Sequence, residues 1–149
     1  MEKADIPAMA RIRSSEWGDQ EYWERRISGY LAGEVNPQRA LAPRTGYVAV
    51  EESAVVAFIA GHLTRRHACE GELEWINVIT EWRGRGVASE LLRLLAAWFV
   101  QQNALRICVD VDPANPTARA FYTKNGAEKL NPHWLAWNNI TVVLDPSAR

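Results

Sequence analysis

The sequence predicts one α/β domain over residues 1–149, a mixed sheet with helices packed on it. Three observations lead there. Up to Glu34, apolar residues recur at spacings of three and four, the period of a helix face; from Tyr47 the runs turn β-branched and aromatic. A long apolar stripe at helical spacing, positions 87–98, then stands between two strand-like runs. The predicted order is α-α-β-β-β-α-β-α-β-β.

Asp5 is placed to cap a first helix with Ile6, Met9, Ala10 and Ile12 on one face, broken at Trp17-Gly18. Asp19 caps a second helix, on which Tyr22, Trp23, Ile27, Tyr30 and Leu31 share a face. Residues 35–46, with two prolines, read as a loop. Residues 47–52 and 54–66 form an antiparallel hairpin around Glu52-Ser53, and 72–79 the next strand. Alternation along that strand puts Glu72 and Glu74 on one face, with Leu73 and Trp75 on the other. Val87, Leu91, Leu94, Leu95 and Trp98 make one stripe on a helix of about four turns. Residues 104–111 are a strand, 112–126 hold a short helix ended by Gly126, and strands at 127–130 and 140–144 finish the chain.

Composition narrows function by exclusion. A net charge of −1 supplies no basic field for nucleic acid or an anionic membrane, so any bound anion must be held by local geometry. The longest uncharged apolar run, 94–104, is too short to span a bilayer, and "MEKADIPAMARIRSS" lacks the apolar core of a signal peptide. Cys69 and Cys108 make no disulfide framework, and neither they nor His62, His67 and His133 have metal-ligand spacing. The expectation is a cytoplasmic, reduced protein with no metal.

The chemically informative stretch is "RGRGVAS", residues 83–89. A helix N-terminus exposes about four unpaired N–H groups and the positive end of the helix dipole. With Gly84, Gly86 and Ala88 small, Arg85, Gly86, Val87, Ala88 and Ser89 can present N–H groups together, while Arg83 and Arg85 add charge. The stretch reads as a pyrophosphate cradle, or as a plain tight turn. Ser89 stands where the dinucleotide fingerprint GxGxxG needs glycine, and the Gly-Lys-Ser/Thr of a P-loop is absent.

"TEWRGRGVASELLRLLAAWF" resembles the acyl-CoA-binding motif of the GNAT superfamily of N-acetyltransferases, Arg/Gln-x-x-Gly-x-Gly/Ala, through Arg83, Gly86 and Ala88. Further on, "NPTARAFYTKNGAEKL" resembles the family's second cofactor motif through Asn115, Ala118, Phe121, Tyr122, Lys124 and Gly126. Ala127 replaces the usual Phe, and the family's first strand is missing or very short. The resemblance covers nearly the whole chain. It implies the GNAT fold, a mostly antiparallel mixed sheet flanked by helices, with acetyl-CoA as co-substrate.

It also implies roles. The pantetheine arm would pair with the backbone of Ile76, Asn77, Val78 and Ile79. Tyr122 matches the usual general acid, a phenol near pKa 10 facing a thiolate near 8.5, with packing beside Phe121 as the alternative. Glu74, Glu72 and Asp110 are candidate bases, with a solvated sheet face as the alternative for the two glutamates. Asn115 suits a helix cap as well as a cofactor contact, and Lys124 a surface charge as well as a phosphate contact. Trp17, Tyr22 and Trp23 are the candidate acceptor-binding residues, an aromatic wall for an amine; Tyr22 and Trp23 also fit a core. Trp134 and Trp137, placed between the last strands, would close that pocket or a subunit contact, and seven tryptophans leave apolar surface for a homodimer.

The expected activity is transfer of acetyl from acetyl-CoA to a primary amine, small molecule or peptide, by direct attack, since no Cys–His nucleophile pair is apparent. A non-catalytic acyl-CoA-binding module is the alternative from another class, and a nucleotide-binding Rossmann-type protein the third.

Overall fold

A computed structural model describes residues 1–37 and 39–145. Helix α1 (Ile6–Ser14) takes Pro7 in its first turn, where a missing N–H costs nothing. Helix α2 (Gln20–Ala32) starts with the Asp19 carboxylate accepting the Tyr22 N–H at 2.7 Å and stops at Gly33, whose φ of 80° suits glycine. The other elements are β1 (Ala40–Glu51), β2 (Ala54–Thr64), β3 (Gly71–Val78), α3 (Val87–Gln101), β4 (Ile107–Asp110), α4 (Pro116–Lys124), β5 (Glu128–Asn131), β6 (Trp134–Trp137) and α5 (Thr141–Leu144).

The predicted order holds through β6, and the six strands form one sheet in the order β1-β2-β3-β4-β6-β5. Every neighbouring pair is antiparallel except β3–β4. Helix α3 covers one face with Leu91, Leu92, Leu95, Ala96 and Phe99 against Ile59, Leu73, Ile107 and Val109. Helices α1 and α2 cover the other through Met9, Trp23, Ile27 and Tyr30 against Phe58, Ala60 and Trp75. No strand precedes α1 among the described residues.

Four expectations need correction. Strand β1 begins at Ala40, inside the stretch read as loop: it is an edge strand, and its register slips between Leu41 and Arg44, so Pro43 sits where no ladder N–H is required. The last strand is Trp134–Trp137, not 140–144; the Asn139 side chain accepts the Thr141 N–H and turns that segment into helix α5. Trp134 and Trp137 therefore lie on a strand, with Trp137 wholly buried. Leu94 is 47% exposed, because the buried stripe of α3 runs through Leu91, Leu92, Leu95 and Phe99.

The fourth correction shapes the site. Ala60 pairs with Trp75 while Gly61 pairs with Leu73, so Glu74 is an extra residue, a β-bulge. Strict alternation breaks there. Leu73 joins the core under α3, whereas Trp75 joins the opposite core under α1 and α2. Glu72 and Glu74 still share a face, and both approach His62.

Candidate active site

Strands β3 and β4 pair only through Gly71–Ile107, Glu72–Cys108 and Leu73–Val109. Beyond Leu73 they part. An antiparallel strand turns the N–H and C=O groups of alternate residues to opposite edges. With the Ile79 N–H bonded to the Val56 carbonyl at 2.9 Å, those of Ile76 and Val78 face the gap, while Asn77 faces β2. Arg83 Nε donates to the Val78 carbonyl at 2.9 Å and fixes the strand end to the following turn. The gap is the floor of a cleft of about 1400 Å³.

At its mouth lies the N-terminus of α3. Gly84 and Gly86 have φ of 77° and 84°, the left-handed region that other residues enter at a cost. A Cβ on either would meet no protein atom within 4 Å, so the conformation requires glycine and the space in front stays open. No side chain caps this helix, and its first internal bond from the Gly86 carbonyl goes to the Glu90 N–H. The N–H groups of Val87, Ala88 and Ser89 are thus presented to the cleft, which they line with Gly84, Gly86 and Arg83. The residues present fit a diphosphate. Arg85 departs from its expected place: its guanidinium lies 4.4 Å over the Trp82 ring, and it is absent from the cleft wall.

The second motif forms the facing wall. Asn115 caps α4 by accepting the Ala118 N–H at 3.1 Å. Ala118, Phe121, Tyr122 and Lys124 line the cleft, Lys124 exposed at the rim. Tyr122 is 6% exposed, with its ring edge-on to Trp137 at 5.9 Å. Burial raises its pKa, so the phenol stays protonated; Arg13 opposes the rise and Asp110 adds to it.

On the α1/α2 side Glu72, Glu74 and Asp110 converge, as the strand pattern implied. The structure adds His62, which register places opposite Glu72. His62 is fully buried, its Nδ1 2.8 Å from the Tyr30 hydroxyl and 3.9 Å from Glu74, its Nε2 3.7 Å from Glu72. Arg66 bonds Glu72 at 3.1 Å, and Arg26 stands 3.9 Å from Glu74. Ligand atoms of His62, Glu72 and Glu74 lie within 4.8 Å of one another, but these two guanidiniums already balance the carboxylates that a metal ion would use. Burial, with the neighbouring Glu72, raises the Glu74 pKa against the pull of His62 and Arg26. Burial also raises Asp110.

Of the aromatic trio, Trp17 lines the cleft and is 56% exposed, whereas Tyr22 and Trp23 do not line it. Trp23 is core, donating to the Trp17 carbonyl at 2.7 Å and packing edge-on against Trp75 at 6.0 Å. Sequence reasoning missed Arg13, Arg26, Arg66, Trp75 and His133 in the wall. The signal for His62 was available, since a hairpin register pairs it with Glu72; nothing local marked Arg13 or Arg26.

A sheet that parts between its two parallel strands, with a glycine-opened, uncapped helix at the mouth of the gap, defines the acyltransferase class with the GNAT fold. A family model described as acetyltransferase (GNAT) family matches residues 7–127, and the chain belongs to that family. Solved structures agree on the fold. An acetyltransferase from Thermus thermophilus is 20% identical, with 91% of this chain and 92% of that one covered and a TM-score of 0.69. The PaiA N-acetyltransferase from Thermoplasma acidophilum, in complex with coenzyme A, is 14% identical over 91% and 93% at 0.67. The ribosomal-protein-S18-alanine N-acetyltransferase from Escherichia coli is 16% identical over 92% and 89% at 0.70. No curated protein matches the sequence. No helix among the described residues is long and apolar enough to cross a membrane.

Proposed function

We propose that this GNAT-family acetyltransferase transfers the acetyl group of acetyl-CoA directly to a primary amine held in the α1/α2 side of the cleft. The observation that carries it is the β3–β4 gap, which leads from the open N–H groups of α3 past the unpaired backbone of Ile76 to Tyr122 and Glu74. A coenzyme A complex of a protein with the same fold supports the cofactor.

Acetyl-CoA supplies an activated acyl carbon. Val87, Ala88 and Ser89 N–H groups, with Arg83 and Lys124 nearby, would hold its diphosphate, and the edge of β3 would orient the pantetheine amides. Glu74, a stronger base than a solvated carboxylate because burial raises its pKa, takes a proton from the bound ammonium, directly or through water. The amine nitrogen bonds the thioester carbon, the C–S bond breaks, and Tyr122 gives the leaving sulfur its proton. The ammonium thus loses two protons, of which one ends on the thiol and one in solvent. Glu72, held by Arg66, and Asp110 add negative potential that favours a cationic acceptor. The free, buried thiols of Cys69 and Cys108 support a reducing, cytoplasmic setting.

Thiol release from acetyl-CoA, assayed with a panel of amines for the wild type and Tyr122→Phe, tests this reading. Turnover that falls about 100-fold or more in the variant, with CoA affinity retained, is expected. Tight CoA binding with no turnover of any amine would contradict it and favour a binding module.

A further inference from the structure

The acceptor side of the cleft carries unspent hydrogen-bonding capacity of both signs. Glu74 sits on the bulge with its carboxylate at 3.9 Å from Arg26 and from His62, beyond hydrogen-bond distance, and it accepts no bond from the described residues. Arg26 has the mirror deficit: its Nη1 is buried without a hydrogen-bond partner, and its guanidinium lies 5.8 Å from the Trp75 ring centre. Arg13, 3.0 Å from the Asn77 side chain and stacked over Trp23 at 4.4 Å, leaves its buried Nε unpartnered too. Burial lowers the Arg13 pKa, the mark of a desolvated cation.

A charge pair that lines a cleft at this distance, each member short of hydrogen bonds, suits a ligand that brings one acceptor and one donor. We propose that the acceptor is a small free amino acid, its ammonium directed to Glu74 and its carboxylate to Arg26 and Arg13. In an α-amino acid the two charged groups are one carbon apart, which matches a carboxylate and a guanidinium set side by side. Polyamines fit less well: their second cation would meet Arg26 and Arg13, or Arg66 already bound to Glu72. A peptide N-terminus offers an amide where the guanidiniums ask for an anion. Trp17, Trp75 and Trp134, also in the wall, give the amino-acid side chain an apolar surface.

The inference rests on the acetyl-transfer reading above. The product would be an N-acetyl amino acid with free CoA, the C–S bond being replaced by C–N and one proton released.

The test is steady-state CoA release with each free amino acid, the amide of each productive one, and 1,4-diaminobutane, at fixed acetyl-CoA. At least one amino acid should exceed its amide in kcat/KM by about tenfold or more, a preference of about 1.4 kcal/mol. Arg26→Gln should bring that ratio close to one, chiefly through KM, and Arg26→Lys should restore part of it. A ratio unmoved in folded Arg26→Gln, or preference for the amide or the diamine, would overturn the inference while leaving acetyl transfer intact. No turnover of any amine would overturn both.

Discussion

The Tyr30 hydroxyl lies 2.8 Å from Nδ1 of His62, and both side chains are fully buried between α2 and β2. Burial raises the Tyr30 pKa, so the phenol keeps its proton, and its hydroxyl shares a hydrogen bond with the imidazole. The contact ties helix α2 to the strand pair that carries both carboxylates, while Nε2 of His62 stands 3.7 Å from Glu72 with no hydrogen-bond partner among the described residues. Tyr30→Phe leaves a buried nitrogen unpaired and should cost about 1–3 kcal/mol in urea unfolding. An unchanged midpoint would deny the bond its structural part.

Glu74→Gln should lower kcat/KM by about 100-fold or more, the range of a lost general base. For the wild type the base must be ionised, and burial raises its pKa above the ordinary 4.5. Activity should therefore fall as pH drops through a value higher than that of a solvated glutamate. Because Arg26 pulls the same pKa down, Arg26→Gln should move this acid limb to still higher pH. Measured pH–rate profiles check both directions.

Gly71 is required for room rather than for backbone shape. A Cβ there would come within 2.5 Å of Phe99 and 2.7 Å of Ile107, so α3 lies directly on the start of β3, where the two parallel strands still pair. Gly71→Ala should cost about 1–3 kcal/mol by overpacking, read by denaturant midpoint.

Glu70 accepts the N–H groups of Leu105 and Arg106 at 3.0 and 3.2 Å, and these bonds hold its pKa below the ordinary value. A depressed carboxylate stabilises the fold above its unfolded pKa and loses that contribution as pH falls through the folded one. Glu70→Gln should therefore melt below wild type at neutral pH, with the gap closing in acid. A gap that widens in acid would contradict the assignment.

The sequence made the element order and two walls of the cleft legible because both are local. Helix period, the Asp19 cap and the glycines at 84 and 86 act within a few residues, and each appears where the pattern placed it. What it hid depends on tertiary pairing. The bulge at Glu74 exists only because Ala60 and Gly61 skip a residue on β3, and it sends Leu73 and Trp75 to opposite cores. Arg85 looked like a phosphate ligand by neighbourhood, yet Trp82 three residues back offers its cation a ring. Trp23, spaced like both a core and a pocket residue, is core because α2 packs it against Trp75. Arg13 and Arg26 face the cleft from two helices, a convergence no local pattern encodes.

Every role proposed for the cleft depends on acetyl-CoA seating its diphosphate on the N-terminus of α3. Calorimetric titration of CoA into the wild type and Gly86→Asp reads that seat without relying on turnover, with circular dichroism confirming that the variant folds. A carboxylate would then stand in the open space before the Val87, Ala88 and Ser89 N–H groups. Binding should weaken by roughly 100-fold or more, about 2.7 kcal/mol. Wild-type affinity in the folded variant would contradict the diphosphate seat.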